Sequence, residues 1–200
     1  MLLDADESHL VLMDYQQRML PAIHEGSAIL ARAVQLARAA QLLGVPCWAV
    51  EQNPAGLGPT DASLAPLVGK TVGKMSFGAG EQLIPRLRPP QRAAGGNARS
   101  LPKHLRKPAE PEPEGPSSIV LAGCEAHVCL LQTALELLDE EFEVWVVTDA
   151  CGSRTERDRD AAFDRLAGAG CELVTTEMVL FEWLRTAEHP KFKDVQGLIK

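Results

Sequence analysis

The sequence predicts an α/β fold, in which helices cover both faces of a parallel β-sheet. Short apolar runs such as 9–13 and 119–122 show no polar alternation, which is typical of strands buried on both faces. Between these runs, apolar residues recur at three- and four-residue spacing, which is typical of helices that pack on a sheet.

The predicted strands and helices alternate along the chain. Strands are predicted at 9–13, 45–50, 71–72, 118–122, 143–149 and 171–176, and the third has the weakest signal. Helices are predicted at 28–43, 80–88, 127–138, 156–168 and 177–187. Gly44 follows the apolar stripe of the first helix and is expected to end it, and Thr176 is expected to cap the last one.

The composition predicts one soluble, cytoplasmic domain that spans 1–200. Apolar residues make up 46% and charged residues 24% of the chain, which is ordinary for a globular protein. No apolar run approaches the roughly 20 residues of a membrane span, and the acidic start of the chain is unlike a signal peptide. The net charge of −7 argues against a nucleic-acid partner.

One segment, 89–116, differs from the rest and is predicted to be a long surface insertion. It holds seven of the 14 prolines and no apolar periodicity. Seven Lys and Arg residues and no acids lie between Glu81 and Glu110, so an anion- or RNA-binding arm is an alternative to a solvated loop. The lack of interleaved aromatic residues favours the loop.

Two glycine-containing stretches fail as phosphate-binding motifs. The stretch LVGKT at 67–71 ends like a P-loop, but the first glycine of that motif would fall on Leu64. The stretch FGAGEQL at 77–83 does not complete GxGxxG and follows no convincing strand. A nucleotide-binding protein of flavodoxin type is therefore disfavoured.

Cys129 lies in the first turn of the helix that follows the 118–122 strand. Unpaired N–H groups and the positive end of the helix dipole favour a thiolate there, and the thiolate is the nucleophilic form. The alternative is a small apolar residue at a strand–helix corner, since free cysteine is often buried. The chain has five cysteines, an odd number without a CxxC pair, so reduced thiols are expected.

Asp14 and Lys74 are expected to meet Cys129 at one edge of the sheet. Asp14 ends the first strand, and Lys74 follows the third. In open parallel sheets, sites form beyond the carboxyl ends of the strands, where the strand order switches. A thiol, a carboxylate base and a cation would then converge. The alternatives are that Asp14 caps a turn and that Lys74 is a surface lysine.

The chain resembles the isochorismatase-like cysteine hydrolase superfamily, in particular its small isochorismatase-domain-containing members. The matching stretches are LVLMDYQQRMLPAI, VEQNPAGLGPT, VGKMSFG, GCEAHVCLLQTALELL, VTDACGSR and the tail from 175 onward. The resemblance implies a three-layer α/β/α, Rossmann-like fold with a mainly parallel six-stranded sheet. It also implies homo-oligomers (dimers or tetramers) and a catalytic triad of Asp14, Lys74 and Cys129.

The resemblance also implies whether the site binds a metal and which backbone geometry it has. The nicotinamidase branch binds a metal through one Asp and two His, whereas residues 51–54 here read EQNP, so we expect no metal and no cofactor. A cis peptide bond is expected at Cys124–Glu125. The backbone N–H groups of Glu125 and Cys129 are expected to form an oxyanion hole.

The predicted function is hydrolysis of a C–N bond, of amide type, in a small molecule through a thioester. Tyr15, Gln16, Phe77 and His127 are candidate substrate-binding residues. Gln16 could instead orient the loops around Asp14, Phe77 could be a core residue, and His127 could be a polar residue at a helix start. A binding or scaffold protein with a redox-sensitive thiol is the alternative function.

Overall fold

The computed structural model describes residues 2–88 and 116–199. It contains a six-stranded sheet in which every strand pair is parallel, in the order β3-β2-β1-β4-β5-β6. The strands are β1 Ser8–Met13, β2 Cys47–Gln52, β3 Lys70–Lys74, β4 Ser118–Gly123, β5 Glu143–Val147 and β6 Glu172–Val174. The predicted fold class and parallel sheet are confirmed.

Helices follow the strands in the predicted alternation. They are α1 Gly26–Leu43, α2 Pro54–Leu57, α3 Gly80–Leu87, α4 Leu131–Asp139, α5 Glu156–Ala169, α6 Thr176–Leu184 and α7 Phe192–Gln196. Helix α1 packs against α6 and α7, and helix α4 packs against α3 and α5. These two groups form the outer layers of the three-layer architecture, which explains why every position of the central strand β4 is buried.

Local sequence explains where several helices begin and end. Gly44 adopts a left-handed conformation, with φ of 77°, and its N–H donates to Ala40 at the end of α1. Thr155 caps α5 by accepting from the N–H of Asp158. The predicted cap at Thr176 is wrong by one residue, because Thr175 accepts from Met178 while Thr176 bonds to the Asp149 carboxylate.

Other predicted boundaries also shift. The third strand is longer than 71–72, and Lys74 is its last residue rather than a loop residue. Strand β2 runs two residues later than predicted, and β5 ends at Val147, where the 3₁₀ turn Thr148–Ala150 begins. The chain enters α4 through a π-helical turn, Ala126–Leu130.

Two further expectations concern the predicted insertion and membrane-spanning helices. The predicted insertion at 89–116 lies outside the described residues except for Pro116. None of the helices within 2–88 and 116–199 combines the length and apolar composition that a bilayer crossing needs.

Candidate active site

The ends of four neighbouring strands bring four polar residues together. Asp14 follows β1, Gln52 is the last residue of β2, Lys74 is the last residue of β3, and Cys129 lies in the π-helical turn after β4. The strand order changes direction between β1 and β4, so this group lies at the switch point of the sheet. The structure therefore brings the three residues of the predicted triad together.

The backbone around the switch point fixes this arrangement. Asp14 adopts a left-handed conformation, with φ of 55°, and its N–H donates to Val50 at 2.9 Å. Gly123 pairs with Met13 across the switch point. A Cβ at Gly123 would lie 2.4 Å from the Met13 carbonyl oxygen, and the φ of 155° also favours glycine. Only glycine allows the two strand ends to approach this closely.

Lys74 and Asp14 form a fully buried ion pair. Lys74 Nζ lies 3.1 Å from Asp14 Oδ2, and both side chains are 0% exposed. The ammonium group also donates to Gln52 Oε1 and to the Ser76 carbonyl oxygen. A lysine ammonium has three N–H donors, and these three acceptors match them. Because a buried charge is costly unless it is paired, this network explains how Lys74 can lie inside the protein.

The Asp14 carboxylate has one free oxygen. Among the described residues, Asp14 Oδ1 is buried without a hydrogen-bond partner. Burial raises the pKa of Asp14 above its usual value, while the positive charge of Lys74 and the nearby Cys129 thiol lower it in part. A buried carboxylate with a raised pKa and a free oxygen is suited to accept a proton.

The surroundings of Cys129 favour its thiol over its thiolate. The residue is 3% exposed, and its Sγ lies 3.9 Å from Gln52 Oε1. Burial and then the negative charge of Asp14 raise the pKa of Cys129 to about 12, although Lys74 opposes the shift. The helix start is one contribution in favour of the thiolate, and burial and the charge of Asp14 oppose it here.

The loop between β4 and Cys129 has the predicted backbone geometry. The peptide bond Cys124–Glu125 is cis. The Glu125 carbonyl accepts from Val128 and Leu130, and the Glu125 side chain pairs with Arg154 at 2.6 Å. The oxyanion hole formed by the N–H groups of Glu125 and Cys129 stays a prediction.

The four candidate substrate-binding residues fall in different places. Tyr15 is 1% exposed and donates its hydroxyl to the Ala150 carbonyl, so core packing accounts for it. Gln16 is buried and bonds to both the N–H and the carbonyl of Gln52, which is the loop-orienting alternative. Phe77 is 56% exposed, so the alternative that it packs in the core is wrong.

His127 is half-buried, and its Nδ1 lies 2.9 Å from Ser153 Oγ. This bond holds the imidazole ring in one orientation two residues before Cys129. A substrate contact through His127 stays a prediction.

Gln52 is the site residue that sequence reasoning missed. The stretch EQNP indicated only that metal ligands were absent, yet Gln52 contacts both Lys74 and Cys129. Its position in the sequence could have identified it, because a polar residue at the end of a buried strand that neighbours the Asp14 strand lies at the same edge of the sheet.

A cleft of about 570 Å³ opens beside Lys74, between the turn after β2 and the loop after β3. This volume suits a small molecule. Its lining includes Asn53, Pro54, Met75 and Glu81, together with Lys74, but not Asp14 or Cys129. Within the described ranges, no three His, Cys, Asp or Glu side chains group closely enough to hold a metal ion.

Comparison with known proteins identifies the family of this chain. The family model of the isochorismatase domain matches residues 8–178, a range that includes Asp14, Gln52, Lys74 and Cys129. This chain belongs to the isochorismatase family. The family match begins at the first residue of β1 and ends inside α6, so the isochorismatase domain includes the whole sheet.

Several isochorismatase relatives resemble the chain over most of its length. Isochorismatase domain-containing protein 2A of Mus musculus is 34% identical over 195 residues, which are 98% of this chain and 84% of the relative. Isochorismatase domain-containing protein 1 of Danio rerio is 37% identical over 188 residues, which are 94% of this chain but only 59% of the relative. The chain thus spans less than two thirds of that second relative.

A solved structure, described as the MAR1 ribonuclease from Caenorhabditis elegans, superposes with a TM-score of 0.80 at 28% identity and covers 100% of this chain and 92% of its own. A structure of YcaC from Pseudomonas aeruginosa superposes with a TM-score of 0.79, covering 98% of this chain and 91% of its own. At 21% identity, that second likeness shows the shared fold alone.

Proposed function

We propose that this protein is a cysteine-dependent hydrolase that cleaves a C–N bond, of amide type, in a small molecule. The observation that carries the proposal is the buried group at the switch point, in which a thiol and the free oxygen of a carboxylate lie beside a paired lysine. A nucleophile, a base and a fixed cation are the parts that covalent acyl transfer requires.

In the first half of the reaction, Cys129 Sγ attacks the amide carbonyl carbon. Its proton moves to Asp14 Oδ1 as the C–S bond forms, and the carbonyl π electrons move to the oxygen. Backbone N–H groups of Glu125 and Cys129 stabilise that oxygen. When the intermediate collapses, the C–N bond breaks and the nitrogen leaves with the proton from Asp14, so a thioester on Cys129 remains.

In the second half, water attacks the thioester carbon and gives a proton to Asp14. The C–S bond then breaks, and Cys129 recovers the proton. A raised pKa suits Asp14 to both halves, since the group must accept a proton and return it. Lys74 favours the ionised form of Asp14, so that the base is present before the attack.

The alternative, a scaffold with a redox-sensitive thiol, fits the site less well. Redox-sensing cysteines are accessible and have low pKa values, whereas Cys129 is 3% exposed and has a raised pKa. One similar structure is described as a ribonuclease, so cleavage of RNA is a second alternative. It also fits less well, because the net charge of −7 would repel the RNA phosphates.

A substrate screen tests the proposal. Primary amides, N-substituted amides, esters, thioesters and single-stranded RNA are incubated with wild type, with Cys129→Ser and with Cys171→Ser. Cys171 is the matched control, since it is also a buried free thiol but lies outside the site. We expect amine or ammonia release that Cys129→Ser abolishes and Cys171→Ser retains, with an acyl adduct on Cys129 in mass spectra. RNA cleavage without amide cleavage, or hydrolysis that survives Cys129→Ser, would overturn the proposal.

A further inference from the structure

The side chain of Lys74 contacts the loop that follows it. Residues 75–79, the lysine loop, connect β3 to α3. Lys74 Nζ donates to the Ser76 carbonyl oxygen of this loop at 3.3 Å. The loop has little side-chain burial of its own to hold it, because Met75 is 71% exposed and Phe77 is 56% exposed. Contacts at its far end must therefore supply part of its rigidity.

Thr133 on α4 links the far end of the lysine loop to the nucleophile. Its hydroxyl donates to the Cys129 carbonyl oxygen at 2.8 Å and accepts from the Ala79 N–H at 2.9 Å. Thr133 is fully buried, so both bonds are shielded from water. A single hydroxyl thus joins the main chain of the π-helical turn to the main chain of the loop.

Glu136, one turn further along α4, holds the start of α3. Its Oε2 accepts from the Gly80 N–H at 2.7 Å. The N-cap residue of α3 is Ala79, which has no side chain that could cap the helix, so Glu136 supplies the cap from another helix. A carboxylate at this end also complements the helix dipole.

Two glycines make room for this carboxylate. A Cβ at Gly78 would lie 2.1 Å from Glu136 Oε1, and a Cβ at Gly80 would lie 2.7 Å from Glu136 Oε2. The stretch FGAGEQL, which fails as a nucleotide motif, therefore has the glycine spacing that admits a carboxylate from α4.

We propose that Thr133 and Glu136 are positioning residues that fix the lysine loop against the nucleophile turn and thereby hold Lys74 beside Asp14. They act through Lys74 and touch no reacting atom. The inference rests on the proposed function, because it takes Asp14, Lys74 and Cys129 as the reacting group. A purely structural role for Thr133 and Glu136 would stabilise α3 without affecting the proton chemistry of Asp14.

The test measures the alkylation rate of Cys129 by iodoacetamide as a function of pH. The rate should fall at low pH, where Asp14 is protonated and can no longer accept the thiol proton. This low-pH part of the rate profile is its acidic limb. Lys74→Ala should move this acidic limb up by about 1–3 pH units, because an adjacent opposite charge lowers a carboxyl pKa by that amount. Thr133→Val and Glu136→Ala, which remove these hydrogen bonds, should move it in the same direction by about half a unit to one unit.

Matched variants separate positioning from stability. Thr133→Ser restores the hydroxyl and should restore the wild-type limb. Thr148→Val and Glu182→Ala each remove a side-chain bond to the main chain elsewhere, to Val174 and Leu3. They should leave the limb in place at equal loss of thermal stability.

Each outcome of the test decides something. If Lys74→Ala moves the limb but Thr133→Val and Glu136→Ala do not, the positioning role is overturned and the proposed function stands. If Lys74→Ala does not move the limb, the role of Lys74 in the proposed function fails, and the positioning role fails with it.

Discussion

Gln52 joins the cation of the site to its nucleophile. Its Oε1 accepts from Lys74 Nζ and lies 3.9 Å from Cys129 Sγ, while its Nε2 donates to the Met75 carbonyl at 2.9 Å. Gln16 bonds to both sides of the Gln52 backbone and so fixes the end of β2. Each polar atom of the Gln52 side chain therefore has a partner in or beside the site.

Replacing this amide should destabilise the fold as well as the site. Gln52→Leu leaves one buried N–H of Lys74 without an acceptor, which costs about 1–3 kcal/mol of unfolding free energy. Urea denaturation measures the loss. The matched control is Gln35→Leu, which removes a half-buried bond to the Leu198 carbonyl on the other side of the fold. Equal losses for the two variants would contradict the role of Gln52 in satisfying Lys74.

At the scale of elements, the junction between the lysine loop and α4 should respond to added volume. Gly78→Ala places a Cβ 2.1 Å from the Glu136 carboxylate, which must then move away from the Gly80 N–H. Loss of this cap should cost about 0.5–2 kcal/mol in thermal unfolding. Adding Glu136→Ala should make Gly78→Ala nearly neutral, and Gly168→Ala, at a site with open space, is the control. Additive effects of the first two changes would count against this contact.

The elements differ in how far the sequence could predict them. Strands β1 and β4 lie in the centre of the sheet, so burial on both faces gives them continuous apolar runs. Strand β3 lies at the edge, and Lys70, Thr71 and Gly73 are exposed. Its signal was therefore weak, and its true end at Lys74 could not be predicted.

The convergence of the triad side chains at one edge of the sheet was predictable, but the pKa shifts of Asp14 and Cys129 were not. Residues at the carboxyl ends of parallel strands could be placed together from topology, which gave Asp14, Lys74 and Cys129. The pKa values of Asp14 and Cys129 depend on burial, and burial depends on side chains far apart in the chain. The contacts of Thr133 and Glu136 depend on helix packing in the same way.

At the scale of the whole molecule, we expect the 89–115 segment to be dispensable for the fold. Both flanks meet the connection between α4 and β5: the Arg88 guanidinium lies 3.8 Å from the centre of the Phe142 ring, and the Ser117 carbonyl accepts from Glu143 at 2.9 Å. Replacing 89–115 with a short Gly/Ser linker should change the Tm by less than about 3 °C. A collapse of the cooperative thermal transition would contradict this.

Self-association also stays a prediction, drawn from the family resemblance. Among the described residues, large apolar side chains are exposed at Leu2, at Met75 and Phe77 in the lysine loop, and at Met178 and Phe181 on α6. We expect sedimentation velocity to show a species of two or more chains. A monomer at every concentration tested would contradict it.

The cysteines differ in what should control their reactivity. The pKa of Cys171 is raised to about 11 and that of Cys129 to about 12, both mainly by burial. Resting ionisation alone would thus favour Cys171. If Cys129 is the nucleophile, its advantage must come from Asp14, which takes the proton as the new bond forms.

The pH dependence of alkylation, followed for each cysteine by mass spectrometry, tests this claim most directly. Cys171 should react about tenfold faster with each pH unit up to about 11, because only its thiolate reacts. Cys129 should instead reach a constant rate once Asp14 is ionised, and Asp14→Asn should give it the steep dependence of Cys171. If Cys129 already follows the slope of Cys171 in the wild type, and Asp14→Asn changes nothing, Asp14 is not the base and the proposed mechanism is contradicted.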